Sequence, residues 1–264
     1  MKIIIKKALG IEQKILTIIT GIHGNESSLF MPLSKMLEEF QLENITIQLI
    51  LANELAAEKN MRYIDQDLNR SFGGKKNDMK NNETNLVQEI RPYCAADLVI
   101  DFHTHRGEER FAITSSEFFN QNIKRFISAL DLNHCLLTGP EVIDSGSLID
   151  NFPNSLTVET GKHRSEKAAE FSKECLQTAV LFLQELKLNK NQVTFLKAKK
   201  FIYNTTHKKI IVSNEIKNFI PLEAGATLSP GILTTETIIP TLISYEAEPG
   251  EKILLACQKI KEEE

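Results

Sequence analysis

Apolar residues run almost unbroken through Ile15-Leu16-Thr17-Ile18-Ile19, the pattern of a strand buried on both faces. Directly after it, Leu29, Leu33, Met36, Leu37 and Phe40 recur at helical spacing and predict a helix over 27–41. The same alternation continues down the chain. Strands are predicted at 46–51, 97–102 and 156–158, with a short one at 135–137. Leu86, Val87, Ile90 and Tyr93 predict a short helix that Pro92 disturbs or ends. Phe119, Ile123, Phe126, Ile127 and Leu130 mark another helix, and Ala168, Phe171, Cys175, Ala179, Leu183 and Leu186 a longer one. Strands alternating with helices predict an α/β domain with a mixed, mainly parallel sheet flanked by helices. The polar stretch 56–80 has little periodicity and reads as a long surface loop, a length often tied to function.

The pattern changes near Leu188-Asn189-Lys190. Beyond it come short β-type runs at 193–196, 210–212, 232–235, 242–245 and 253–256, separated by turn residues such as Gly225 and Pro249-Gly250. The expected division is therefore residues 1–189 as one domain and 190–264 as a small β-rich C-terminal domain. No internal repeat or low-complexity tract interrupts either part.

Composition changes this picture little. The net charge of −4 gives no basic surface for nucleic acid or an anionic membrane. An anionic substrate would need a local cluster of arginines against that background. The N-terminal Met1-Lys2-Ile3-Ile4-Ile5-Lys6-Lys7 has an apolar run too short for a signal-peptide core, and no run reaches the length of a membrane span. Cys94, Cys135, Cys175 and Cys257 are far apart and form no CxxC pair, so buried free thiols in a reducing, cytoplasmic setting are expected. Oligomeric state is not legible.

Three strand ends carry unusual groups. Gly21-Ile22-His23-Gly24-Asn25-Glu26 joins the first buried strand to its helix, at the edge where open α/β sheets bind ligands. His23 and Glu26 on such a loop can grip one zinc ion. They serve equally as a loop imidazole and a carboxylate placed against a helix dipole. The second end is Asp101-Phe102-His103-Thr104. Alternate strand residues share a face, so Asp101 and His103 point the same way. His103 can complete a His, Glu, His set with an open fourth position, as catalytic zinc sites have, and Asp101 can orient the imidazole. A single strand-end His more commonly just bonds a backbone carbonyl. The third is Glu159 after Leu156-Thr157-Val158. A carboxylate there is costly unless paired or functional. Beside a metal it can shuttle a proton, and beside Lys162 or Arg164 it can form an ion pair instead. In the long loop, Arg62-Tyr63 and Asp67-Leu68-Asn69-Arg70 combine arginines suited to bidentate carboxylate binding with aspartates that can simply pair with them.

Taken in order, Gly21-Ile22-His23-Gly24-Asn25-Glu26, Arg62-Tyr63, Asp67-Leu68-Asn69-Arg70, Asp101-Phe102-His103-Thr104 and Thr157-Val158-Glu159 resemble the succinylglutamate desuccinylase/aspartoacylase family, which is similar to zinc carboxypeptidases in fold. The match spans roughly residues 15–165, and a β-rich C-terminal domain is expected with it. The resemblance implies one zinc per chain held by His23, Glu26 and His103, with Glu159 as general acid/base. It implies that Arg62 helps polarise the substrate carbonyl and that Arg62, Asn69 and Arg70 bind substrate. His103-Thr104-His105-Arg106-Gly107, Phe111-Ala112 and Gly161-Lys162 are similar to the desuccinylase branch. The stretch from His103 to Arg106 is one residue shorter than in desuccinylases, and the aspartoacylases' substrate arginine has no counterpart around 146–149. Tyr245 aligns with their C-terminal substrate tyrosine.

The implied reaction is zinc-dependent hydrolysis of a small anionic N-acyl amino acid. N-succinylglutamate, cleaved to succinate and glutamate, is the first expectation, with Arg106 reading the succinyl carboxylate or else pairing with Glu108 or Glu109 in solvent. N-acetylaspartate or another N-acyl amino acid comes second, and a C-terminal peptide residue third. From a different class, the chain is a non-catalytic zinc-binding module, which would have no need of Glu159.

Overall fold

The computed structural model describes residues 1–7, 9–40, 42–73, 81–139, 142, 146–213, 215–229 and 232–260, the side chains of 9–13 excepted. The chain forms two compact units, Met1–Cys135 with Asp144–Val193, and Leu136–Ile143 with Thr194–Glu264.

The first unit is built on β1 (Lys2–Lys6), β2 (Leu9–Thr20), β3 (Glu43–Leu51), β4 (Leu98–His105), β5 (Phe111–Ser115) and β7 (Ser155–Lys162), in the order β1-β3-β2-β4-β7-β5. β6 (His134–Thr138) lies where the chain passes from the first unit into the second. The pairs β3–β2, β2–β4 and β4–β7 are parallel, and β1–β3 and β7–β5 at the margins are antiparallel. The expected mixed, mainly parallel sheet is therefore present. Its central strands are apolar because both faces are covered: Leu16, Ile18, Ile19, Val99, Ile100, Phe102, Leu156 and Val158 are all buried.

Helices α1 (Phe30–Glu39), α3 (Asn82–Ile90), α4 (Gln121–Ala129) and α5 (Glu166–Leu183) each bury one stripe, while the short α2 (Glu54–Glu58) buries Ala56 alone. In α5 it is Ala168, Phe171, Cys175, Leu176, Ala179 and Leu183. Asn81 and Thr84 form a capping box at α3, and the Asn120 side chain accepts the amides of Asn122 and Ile123 at α4. Pro92 sits in the 3₁₀ turn Arg91–Cys94 that ends α3.

Several boundaries differ from expectation. The first helix begins as a 3₁₀ turn, Gly24–Leu29, and is α-helical only from Phe30 to Glu39. Strands β4 and β7 continue beyond His103 and Glu159, so both residues lie inside strands and not at their ends. Past them, one extra residue on β7 shifts the register between His103↔Glu159 and His105↔Lys162. Such a bulge re-aims side chains locally. Gly161 sits there at φ +107, a backbone conformation that costs glycine nothing. The long loop contains α2 and a 3₁₀ turn at Leu68–Arg70; its residues 74–80 lie outside those described.

In the second unit, β8 (Thr194–Tyr203), β14 (Lys252–Lys259) and β12 (Ile239–Thr241) pair antiparallel. Short ribbons join β9 (Ile210–Ile211) to β13 (Glu246–Ala247) and β10 (Thr227–Ser229) to β11 (Ile232–Leu233). Val212, Leu228, Ile253 and Leu254 form the core. The strand expected over 242–245 is absent, because Leu242 adopts φ +50 and turns the chain. All four cysteines are buried free thiols, and burial pushes Cys257 up to about 11 and Cys94 to about 12. Among the described residues no helix is long and apolar enough to cross a membrane.

Candidate metal centre

Gly21, at φ +65, turns the chain out of β2 into the 3₁₀ segment that carries Glu26. Gly24 packs its Cα directly on α2. A Cβ there would lie 2.3 Å from the Ala56 carbonyl carbon, so only glycine fits. The Gly24 amide donates to the Arg62 carbonyl at 3.0 Å, which ties the start of the long loop to this turn.

His23, Glu26 and His103 are all buried, and one ligand atom from each lies within 4.8 Å of the others. Glu26 stands between the two imidazoles. His23 Nδ1 is 2.9 Å from its Oε1, and His103 Nδ1 is 3.0 Å from its Oε2. The Thr104 amide also donates to Oε2, at 3.2 Å. Each ring's far nitrogen meets another carboxylate: His103 Nε2 lies 2.7 Å from Asp101, and His23 Nε2 lies 3.2 Å from Asp67. The Nδ1 atoms thus converge while the Nε2 atoms are held from behind, the carboxylate–histidine arrangement that orients metal ligands.

The electrostatics fit a dication. Burial alone would raise the Glu26 carboxyl, but the charge of His103 and hydrogen bonds from both imidazoles hold it well below the usual range. At Asp67 burial likewise works against ionisation, and the hydrogen bond to His23 together with the charges of His23, Arg62 and Arg70 overcomes it and keeps the carboxyl low. For His103, burial works against protonation, and the Asp101 and Glu26 carboxylates overcome it and raise the imidazole well above its ordinary value. Three carboxylates around two imidazoles, with Arg62 at the edge, give a nitrogen–oxygen donor set in a largely buried pocket. Those are the ligand types that zinc takes, with a further position left for water or substrate. The residues fit the metal that the resemblance implies.

Glu159 pairs in parallel register with His103 on the adjoining strand. Its Oε2 is sealed from solvent and has no hydrogen-bond partner among the described residues. Burial pushes its carboxyl above the usual range, and Glu26 adds to that, against His103, His105 and His23. An orphaned buried carboxylate oxygen is expensive, and its position beside the ligand set gives it a use.

The loop residues are brought to the rim. Arg62, about half exposed, donates through Nε and Nη2 to Asp67 Oδ2 at 3.3 and 3.1 Å, and its Nη1 lies 3.7 Å from Glu26 Oε1. Asp67 also caps the Asn69 amide at 2.9 Å. Asn69 Oδ1 accepts the Leu148 amide at 3.0 Å. Exposed Arg70 donates to the Asn69 carbonyl at 2.7 Å. Segment 146–149 lies against Arg70: a Cβ on Gly146 would come 2.3 Å from the Arg70 carbonyl oxygen. Where the aspartoacylases' arginine was sought, Ser147 bonds Asp150 instead. Arg106 is exposed and has no ion pair among the described residues, with Glu108 or Glu109 or otherwise. Tyr245, in the second unit, donates its hydroxyl to the Ile216 carbonyl at 3.1 Å.

Two contributors escaped the sequence reading. Asp67 was one of two aspartates between arginines, with nothing to single it out as the support of His23. His163 bonds the Thr104 hydroxyl at 2.7 Å, one step from Glu26, yet no spacing rule links residues 104 and 163.

A family model for the succinylglutamate desuccinylase/aspartoacylase catalytic domain matches residues 12–184. A protein of Prochlorococcus marinus subsp. pastoris named "Probable aspartoacylase" is 29% identical over 160 residues, 56% of this chain and 53% of that protein. The chain thus spans about half the length of the curated relatives it matches. Its fold is similar to the crystal structure of a succinylglutamate desuccinylase from Vibrio parahaemolyticus, with a TM-score of 0.76 at 14% identity over 98% of this chain and 86% of that one. It is also similar to a succinylglutamate desuccinylase/aspartoacylase from Rhodobacter sphaeroides, with a TM-score of 0.75 at 12% identity over 98% and 89%. With the motif order, the buried ligand set and the matched domain all in agreement, this chain belongs to the succinylglutamate desuccinylase/aspartoacylase family.

Proposed function

We propose that this protein is a zinc-dependent deacylase of N-acyl amino acids, with residues 1–189 as its catalytic domain. The observation that carries the proposal is Glu159, a half-buried residue in register with a metal ligand, whose Oε2 is sealed from solvent and unpartnered among the described residues. A binding module would gain nothing from that costly group. His23, Glu26 and His103 would hold a zinc ion, which would supply Lewis-acid polarisation of the amide and acidify a bound water. Glu159 accepts the proton of the attacking water and returns it to the departing amine. Arg62, at the edge of the ligand set, stabilises charge that develops on the amide oxygen. Asn69 and Arg70 hold a substrate carboxylate, for which the guanidinium fork is suited.

The proposed substrate is N-succinylglutamate. A succinyl group ends in a second carboxylate, which needs a cation near the cleft. Arg106 follows His103 by three residues and carries no ion pair among the described residues. It is near enough to join Arg164 in lowering His163, on which burial is the larger influence. N-acetylaspartate is the second reading, favoured by the "Probable aspartoacylase" name of the sequence relatives. Against it, segment 146–149 presents no cation, only Ser147 bonded to Asp150, whose carboxyl burial pushes up.

The test is kcat/KM across a panel of N-acyl amino acids with zinc-loaded protein, in wild type and Arg106→Ala. Turnover is expected to favour the succinylated substrate. Arg106→Ala is expected to cost it about 1.5–3 kcal/mol, a charge-assisted hydrogen bond's worth, or roughly ten- to hundredfold. An acetylated substrate should lose much less. Equal losses on both would remove Arg106 from the acyl site, and no turnover on any member would remove the function itself.

A further inference from the structure

Glu83 is a buried carboxylate that no step above uses. It sits in the first turn of α3 and is 0% exposed. Five donors converge on its two oxygens. Oε1 accepts from the Ile64 amide at 2.8 Å, Asn53 Nδ2 at 2.9 Å and Asn82 Nδ2 at 3.1 Å. Oε2 accepts from the amides of Asp65 and Gln66 at 3.0 and 3.2 Å. No cation is among these partners. Burial works against the ionised form, and the Ile64 amide, the Asn53 side chain and the Asp65 amide overcome it, so the carboxyl lies below its ordinary value.

Three consecutive backbone amides aimed at one carboxylate fix the path of residues 64–66. That stretch lies between Arg62 and Asp67. The clasp is reciprocal, because Asp65 Oδ2 accepts the Asn82 amide at 2.8 Å. Beyond the clasp, Gln66 Nε2 donates to Ser71 Oγ at 2.9 Å and Ser71 Oγ to the Asp67 carbonyl at 2.9 Å, which carries the constraint through the turn that bears Asn69 and Arg70. The other end is tied by the Gly24 amide on the Arg62 carbonyl. With both ends held, Asp67 reaches His23 Nε2 and Arg62 reaches Glu26.

We infer that Glu83 is a positioning residue of the metal and substrate site: it holds 62–70 as a preformed arm that presents Asp67 to His23 and Arg62, Asn69 and Arg70 to the cleft. A loop of that length would otherwise pay its ordering cost each time ligand binds. The substrate part of this inference rests on the deacylase reading, while the metal part needs only the ligand set.

Glu83→Gln keeps size but turns one acceptor into a donor facing amide donors. The expected result is amide hydrogen exchange at 64–66 accelerated at least tenfold. The zinc dissociation constant, from chelator competition on the folded protein, should rise about tenfold, the lower end of what loss of an outer partner costs. KM for the best substrate of the panel should rise together with it. A merely structural role would lower Tm and leave zinc affinity and KM unchanged, and that result would overturn the inference. Should Glu83→Gln fail to fold, Asp65→Ala opens the same clasp from its exposed side, and smaller shifts in the same direction are expected. Unchanged zinc affinity there overturns it as well. If wild type turns over no N-acyl amino acid while Glu83→Gln still weakens zinc, the deacylase reading fails and the positioning role stands.

Discussion

Glu159→Gln is expected to lower kcat by about 10²–10⁴-fold, the usual worth of a general acid/base, with zinc still bound. The substitution preserves volume on β7 and removes only the capacity to accept a proton. Among the described residues the side chain makes no hydrogen bond through Oε2 that the fold would miss. Stability should move the other way from activity. Burial, with Glu26 adding to it, raises the Glu159 carboxyl above the value it has in an unfolded chain. A group raised on folding contributes stability that is present below its unfolded pKa and is lost as pH rises through its folded one. Glutamine does not ionise and escapes that loss. In zinc-free protein, the Tm of the variant relative to wild type should therefore increase as pH climbs from the acid range to neutral. Calorimetry across pH and kcat on zinc-loaded protein measure the two halves. A near-normal kcat would assign proton transfer to another group, and a Tm difference independent of pH would place Glu159 in a wetter setting than its sealed oxygen indicates.

What was legible in the sequence follows from which forces act locally. The apolar runs at Ile15-Leu16-Thr17-Ile18-Ile19 and Asp97-Leu98-Val99-Ile100-Asp101-Phe102 could only be covered strands, and they stand side by side in parallel register as β2 and β4. That pairing brings the His23 loop next to His103, so the clustering of His23, Glu26 and His103 was readable although β4 runs on past His103. Asp101 behind His103 was readable too, because the two share a strand face. Asp67 behind His23 was not, since that contact joins residues 44 apart through a loop without periodicity. Glu83 was hidden for the same reason: in the sequence it is an acidic residue in a helix's first turn, where the dipole suffices as an explanation. The bulge that follows Glu159 left no mark except Gly161. In the second unit, the strand expected over 242–245 failed because β-type residues occupy a turn that starts at a non-glycine with positive φ, Leu242. Local propensity yields there to the pairing of its neighbours.

The other large effect is expected for His103→Ala. Metal analysis of wild type should give one zinc per chain, and the variant should retain almost none, because the remaining His23 and Glu26 leave too few protein ligands for a stable site. The fold should suffer as well. His103 is the partner of Glu26 Oε2 at 3.0 Å and of Asp101 at 2.7 Å, both buried. Asp101 also keeps its Oδ1 without a hydrogen bond among the described residues. Removing one member of a buried ionic set costs about 3–5 kcal/mol, since the charge left behind is uncompensated. That supplies an internal control. Asp101→Asn alone should keep zinc at reduced affinity, about 10–100-fold weaker, as loss of an outer carboxylate partner generally does. Combined with His103→Ala, it should recover part of the lost stability by removing the stranded charge, yet restore no zinc. Denaturant unfolding of the four proteins in this cycle, alongside their zinc content, separates the two roles. Full zinc occupancy in His103→Ala would take His103 out of the metal site. Strictly additive stability losses would mean that Asp101 does not depend on His103 for its charge compensation.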